Sequence, residues 1–297
     1  MSTPMDPTAQ DNLDTPANDP FPIDGGPFRL TVGLRRVPPT AWLAPGPDRA
    51  HQLSERRRLL ATCPEDVLAC TTSAEAATGE LLALVRNACG HPARKTSGPT
   101  GAEALREIGE IAQEDFCLLQ DRASPGVYHL TAAVLCFPNR WRLRARIGWT
   151  TRALHAPVPG YDAALAAPVD RVLGGLRAES ILMRQNWSLH PSPTLFQPEP
   201  DPAAHHTSPS PETVGTRVFL RIERQTLRRL PDSGAIAFGI RTRVMALEHG
   251  IRTAEARACL ATALQTMSDE MAAYKGLSAL KGPILEWLCD QDGVANR

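Results

Sequence analysis

Two runs of sequence decide the fold, TRVFLRIER at 216–224 and AIAFGIRTR at 235–243. The first alternates strictly, with Val218, Leu220, Ile222 and Arg224 on one face and Arg217, Phe219, Arg221 and Glu223 on the other; the second repeats the pattern with Ile236, Phe238 and Ile240. LRRLPDSG between them carries a Pro-Asp-Ser-Gly turn signal, so the two runs pair as antiparallel strands. ILMRQNWSL at 181–189 reads as a further strand. FCLLQ after Asp115, a Ser-Pro-Gly turn at 124–126 and VYHLTAAVLCF read as a hairpin whose second strand is buried on both faces.

Outward from these strands the periodicity changes. Residues 48–60, 74–89 and 102–114 space their Leu, Ile and Val at three and four, which predicts amphipathic helices, the first ended by Pro64; 252–274 predicts a closing helix. Helices gathered in the N-terminal third, followed by strands, give an α+β fold with helices on one face of an antiparallel sheet. MSTPMDPTAQDNLDTPANDPFPIDGG at 1–26 is polar, acidic and broken by Pro and Gly, which predicts a disordered tail. HPSPTLFQPEPDPAAHHTSPSPE at 190–212 reads as a long proline-rich loop. The expected organisation is one domain over 27–275, with a C-terminal tail over 276–297.

With 297 residues, 42% of them hydrophobic, the chain has material for a large core. Its 32 Lys+Arg balance 32 Asp+Glu, so no net charge draws it to nucleic acid or to an anionic membrane. No window reaches the roughly 18 apolar residues of a membrane span, and the N-terminus lacks a basic-then-apolar leader. The seven cysteines are scattered without a C-x-x-C pair, which points to a reducing, cytoplasmic setting.

Four strings stand out chemically. In LHAPVPGY (154–161), Pro157 and Pro159 predict a stiff, extended backbone after His155, and Gly160 a sharp turn. A histidine so framed suits a metal or haem iron, or a hydrogen bond in a packed loop. In RIERQTLRRLP (221–231), alternation turns Arg224 inward, where a charge needs an anionic ligand or a carboxylate such as Glu114, Asp115 or Glu223. MRQNW (183–187) sets Arg184, Asn186 and Trp187 in a strand. RWRLRARIGWTTR (140–152) interleaves arginines with Trp141 and Trp149, as an RNA-binding strip or a solvated docking edge would. No P-loop, nucleophile elbow, H-E-x-x-H or dinucleotide fingerprint accompanies them.

These strings, together with PFRLTVGL (27–34), EDFCLL (114–119) and YHLTAAVLCFPNRW (128–141), resemble the haem-dependent oxidative N-demethylase family over about residues 27–247. The resemblance implies a PAS-like haem-binding fold acting as the haem subunit of a monooxygenase. Its substrates would be a small secondary amine such as dimethylamine and O2, its product formaldehyde. It further implies haem b on this chain, with FMN, an iron–sulfur cluster and NADPH on partner reductase subunits. Carried onto these residues, it makes His155 the axial metal ligand and Arg224, Arg184 and Asn186 cofactor contacts. Tyr161 or Trp187 would face the amine, with Glu223 or Asp115 as its counter-charge. Cys136 is the thiolate rival to His155. The Glu-Lys pair usual before the glycine that is Gly148 here is replaced by Ala145 and Arg146. On the same PAS-like frame, a haem or small-ligand sensor without turnover is the alternative.

Overall fold

The computed structural model describes residues 21–91, 98–121, 125–199 and 209–295. The predicted tail up to residue 20 and the middle of the proline-rich loop, 200–208, lie outside the described residues. The strands are β1 (Arg35–Val37), β2 (Leu68–Cys70), β3 (Asp115–Gln120), β4 (His129–Val134), β5 (Ile181–His190), β6 (Phe219–Arg229) and β7 (Ile236–Ala246). They form one sheet in the order β1-β5-β6-β7-β3-β4-β2, every pair antiparallel. The predicted hairpin is β6–β7, with Glu223 opposite Thr242 and Arg224 opposite Arg241.

Around the sheet lie α1 (Arg49–Thr62), α2 (Pro64–Val67), α3 (Glu75–Ala88), α4 (Gly101–Ile111), α5 (Thr151–His155), α6 (Ala167–Gly175), α7 (Val214–Arg217), α8 (Leu247–Gly250), α9 (Ala254–Thr266), α10 (Asp269–Tyr274) and α11 (Lys281–Ala295). The architecture is α+β, as the strand and helix patterns indicate. No helix of the described residues is long and apolar enough to cross a membrane.

Helices cover both faces of the sheet rather than one. All six residues of β3 are buried, so neither side of that strand can be left to water. Phe116 and Leu118 pack with Leu59 and Leu60 of α1, Leu81 of α3 and Ile108 of α4. Cys117 and Leu119, pointing the other way, join Leu143, Leu173 and Leu176. Each such side chain contributes about 1.5–3 kcal/mol on leaving water, so the two layers are held comparably. A third cluster gathers Leu189 and Leu220 with Leu260, Leu264, Ile284 and Trp287 from α9 and α11.

That third cluster corrects the expected ends of the domain. Residues 281–295 form a helix, and its Ile284, Trp287 and Leu288 are buried. The closing helix over 252–274 is two helices: Ser268 accepts from the Met271 amide at 3.2 Å and starts α10 afresh. At the other end Ile23, within the predicted tail, is buried in the same cluster.

Candidate functional site

One face of the sheet opens into a cavity of about 500 Å³. Its floor is apolar, with Cys117 and Leu119 from β3, Leu130 from β4, and Phe238 and Ile240 from β7; Glu223 and Gln225 of β6 and Arg184 and Asn186 of β5 continue it as a polar half. The walls come from residues 22–31, from the 137–165 stretch and from Tyr274 and Lys275 at the end of α10. A largely apolar concavity of this size with a few convergent polar groups is the usual form of a ligand site.

His155 stands in the wall of this cavity, at the C-terminus of the short helix α5. Thr150 starts that helix, its side chain accepting from the Ala153 amide at 3.1 Å. The backbone after His155 is not extended as the prolines suggested. Two successive turns, Val158 N to His155 O and Tyr161 N to Val158 O, fold it back, with Gly160 at φ +75°. Proline fixes φ alone, and the φ it imposes suits a turn as well as a strand. This reversal lays Tyr161 flat on the His155 ring, centroids 4.7 Å apart and planes 7° from parallel. A single π-helical turn, Asp162–Ala166, follows and brings Leu165 to the cavity.

The imidazole is one that could hold a metal. Its Nδ1 donates to the Thr151 carbonyl at 2.7 Å, which fixes the tautomer; Nε2 keeps its lone pair and has no hydrogen-bond partner among the described residues. Burial, with Arg184 nearby, holds the His155 pKa below 6.5, while the Thr151 carbonyl acts in the opposite sense. His155 is exposed as a residue, and its ring loses hydration on the face that Tyr161 covers. No cluster of three or more His, Cys, Asp or Glu side chains suited to a metal occurs among the described residues. A lone imidazole is what an iron already held by four porphyrin nitrogens requires.

Cations crowd the polar half. Arg140, Arg146, Arg184 and Lys275 all line the cavity. Lys275 Nζ donates to the Trp187 carbonyl at 3.0 Å and lies 5.1 Å from the Trp187 ring and 5.8 Å from that of Phe28. Desolvation brings its pKa down to about 8 although Glu223 pulls the other way. Arg140, itself in the left-handed region at φ +62°, sends Nη1 to the Lys275 carbonyl at 2.6 Å and Nη2 to His190 Nδ1 at 3.3 Å. A Cβ on Gly276 would stand 2.5 Å from that guanidinium, so glycine is what lets it pass. Arg146 lies over Trp149, 4.8 Å from the ring centroid, so the departure Ala145-Arg146 keeps a cation at the rim.

Three buried polar atoms around this cavity lack partners among the described residues: Arg184 Nε, Gln185 Oε1 and Tyr161 Oη. Native interiors rarely leave such groups unpaired. An imidazole with a free Nε2, an apolar floor and an excess of cations fit a dianionic porphyrin. Residues 87–285 match the family described as haem-dependent oxidative N-demethylase, alpha subunit-like. The chain belongs to this family.

Within this N-demethylase family member the residues singled out in the sequence divide. His155, Tyr161, Arg184, Asn186, Trp187 and Glu223 all line the one cavity. Arg224 and Asp115 do not. Arg224 sits on the opposite face of β6, hydrogen-bonded to the Trp42 carbonyl at 3.1 Å and to the Ala41 carbonyl. Its guanidinium donates to backbone oxygens and also acts on the buried Glu114 carboxylate, one of the partners expected from the sequence. Asp115, fully buried, accepts from Arg56 at 2.6 Å and from the amides of Cys136 and Phe137 at 2.6 and 2.9 Å, so it holds the fold together and faces no substrate. Cys136 is in the helical core with its pKa pushed up to about 12 by burial, which keeps it a thiol and removes it as a rival ligand. The arginines of 140–152 also part: Arg142 pairs with Glu199 and Arg152 with Asp170 on the surface, while Arg140 turns inward. Lys275, Arg140 and His190 escaped the sequence reading. Lys275 lay at the edge of a presumed tail, Arg140 in a presumed solvated strip, and no motif marks either.

Proposed function

We propose that this chain binds haem b in the cavity on the β5–β6–β7 face and serves as the haem subunit of an oxidative N-demethylase acting on a small amine with O2. The observation that carries this reading is the His155 imidazole, its tautomer fixed by Thr151 and its Nε2 free at the cavity wall. His155 would hold the iron, with Tyr161 stacked on its ring to prevent rotation. Arg184 and Arg146, beside the His155 segment, would answer the propionates, and Cys117, Leu119, Leu130, Phe238 and Ile240 would cover the macrocycle and keep water out.

Haem supplies the oxidative chemistry when bound. The balance is R–NH–CH3 + O2 + 2 e⁻ + 2 H⁺ giving R–NH2, formaldehyde and water, the electrons coming from flavin and iron–sulfur reductase subunits drawing on NADPH. What the chain contributes is positioning. Trp187 and Phe28, whose rings carry the Lys275 ammonium, would line the place of the amine, and Asn186 donates to Glu223 Oε2 at 3.4 Å. A PAS-like frame and a cytoplasmic setting belong to the same proposal, the latter supported by seven unpaired cysteines. The test is formaldehyde release, with matching O2 uptake, from a panel of secondary amines by the haem-loaded chain and a chemical or enzymatic electron donor. Product from at least one amine is expected. A haem-loaded protein that releases none across the panel would overturn the catalytic reading in favour of a sensor.

A further inference from the structure

The balance of charge in the cavity narrows the substrate, an inference that rests on the haem reading above. Apart from Asp24, exposed at the rim, Glu223 is the one carboxylate among the described lining residues, and it is already spent. Its Oε1 takes the Arg221 Nε at 3.0 Å and the Asn139 amide at 3.4 Å; its Oε2 takes Asn186 at 3.4 Å and Gln225 at 3.1 Å. Arg221 is fully buried behind it and makes Glu223 one half of an internal ion pair. An ammonium substrate therefore finds no free counter-charge in the inner cavity.

Cations are in surplus instead. With Arg29, exposed at the rim like Asp24, set aside, the two propionates of haem answer two of the other four, leaving two positive charges unmatched, a costly arrangement unless a further anion arrives. Arg184 acts on the His155 ring and Arg146 Nη1 reaches the Leu154 carbonyl at 3.5 Å, so these two stand by the His155 segment and the remaining pair is Arg140 and Lys275. They are tied together through the Lys275 carbonyl and flanked by the Trp187 and Phe28 rings that would hold the amine. Lys275 Nζ uses one of its three protons on the Trp187 carbonyl, which leaves donors for a ligand. Charge-assisted bonds from such cations are the ordinary means of holding a carboxylate.

We infer that the preferred substrate carries a carboxylate beside its methylated nitrogen, an N-methyl amino acid rather than a simple dialkylamine, with Lys275 and Arg140 receiving the carboxylate. The same balanced demethylation then yields the amino acid and formaldehyde.

Equilibrium titration of the haem-loaded chain, read by perturbation of the Soret band and by calorimetry, tests this. The ligands are N-methylglycine, N-methylalanine, dimethylamine and, as a carboxylate alone, acetate. N-methyl amino acids binding at least tenfold more tightly than dimethylamine are expected. Lys275→Met is expected to lower their affinity about tenfold relative to that of dimethylamine. Equal or tighter binding of dimethylamine by the wild-type chain, which does not depend on how the variant folds, would overturn the inference alone. A chain that takes up no haem would overturn the parent reading and this one with it.

Discussion

Gly276→Ala is the substitution whose cost the structure defines best. The residue has φ +67°, where a Cβ costs about 1–2 kcal/mol, and that Cβ would meet Arg140 Nη1 at 2.5 Å and its Cζ at 2.9 Å. Arg140 cannot stay. Its retreat gives up charged hydrogen bonds to the Lys275 carbonyl and to His190, about 1.5–3 kcal/mol each at full strength. With partial rehydration of the displaced guanidinium, a total loss of about 3–5 kcal/mol is expected. Gly234→Ala is the control, since Gly234 has φ +70° and nothing within 4 Å of its Cβ position, so only the backbone cost of about 1–2 kcal/mol applies. Urea denaturation of both variants reads the difference. The double variant Arg140→Ala/Gly276→Ala completes a cycle in which the glycine substitution should become no dearer than the control. Equal losses at 276 and 234, or a cycle with no coupling, would refute the packing of Arg140 against Gly276.

Asp115→Ala leaves the fully buried Arg56 without its carboxylate and two amides without an acceptor. Unfolding experiments should show about 3–5 kcal/mol lost while haem affinity in the surviving folded fraction is retained. His190 is buried against Arg140, Arg221 and Lys275, which with desolvation bring its pKa to about 3. Between pH 3 and 6.5 the unfolded chain therefore binds a proton that the folded chain refuses, and stability falls as pH falls, by up to about 1.4 kcal/mol per pH unit from this group. His190→Gln should flatten the dependence of the urea midpoint between pH 6.5 and 4.5. A slope unchanged by the substitution would remove His190 as its source. Cys136→Ser should leave the haem spectrum as it is, since that thiol lies in the helical core away from the cavity.

The strands were legible because alternation at 216–224 and 235–243, and the further strand read at 181–189, are properties of neighbouring residues, and β6, β7 and β5 fall on these stretches. Which face would carry the site was not. Arg224 shares the face of Leu220 and Ile222 as read, but that face is the back of the sheet at this point. Glu223, on the face taken as polar, lines the cavity. Both faces are covered, so polarity along a single strand does not say which cover encloses a ligand. HAPVPGY singled out a histidine, and His155 lies in the cavity wall, followed by turns rather than an extended segment. Lys275 and Arg140 meet across 135 residues of chain through a backbone carbonyl and a glycine that leaves room, a relation no local pattern encodes.

Haem titration of the wild-type chain beside His155→Ala, followed by absorbance, bears most directly on the central claim. The account predicts stoichiometric uptake with a Soret band by the wild-type protein, loss of that ligation in His155→Ala, and its return when free imidazole is supplied. An unaltered spectrum and affinity in the alanine variant would contradict it.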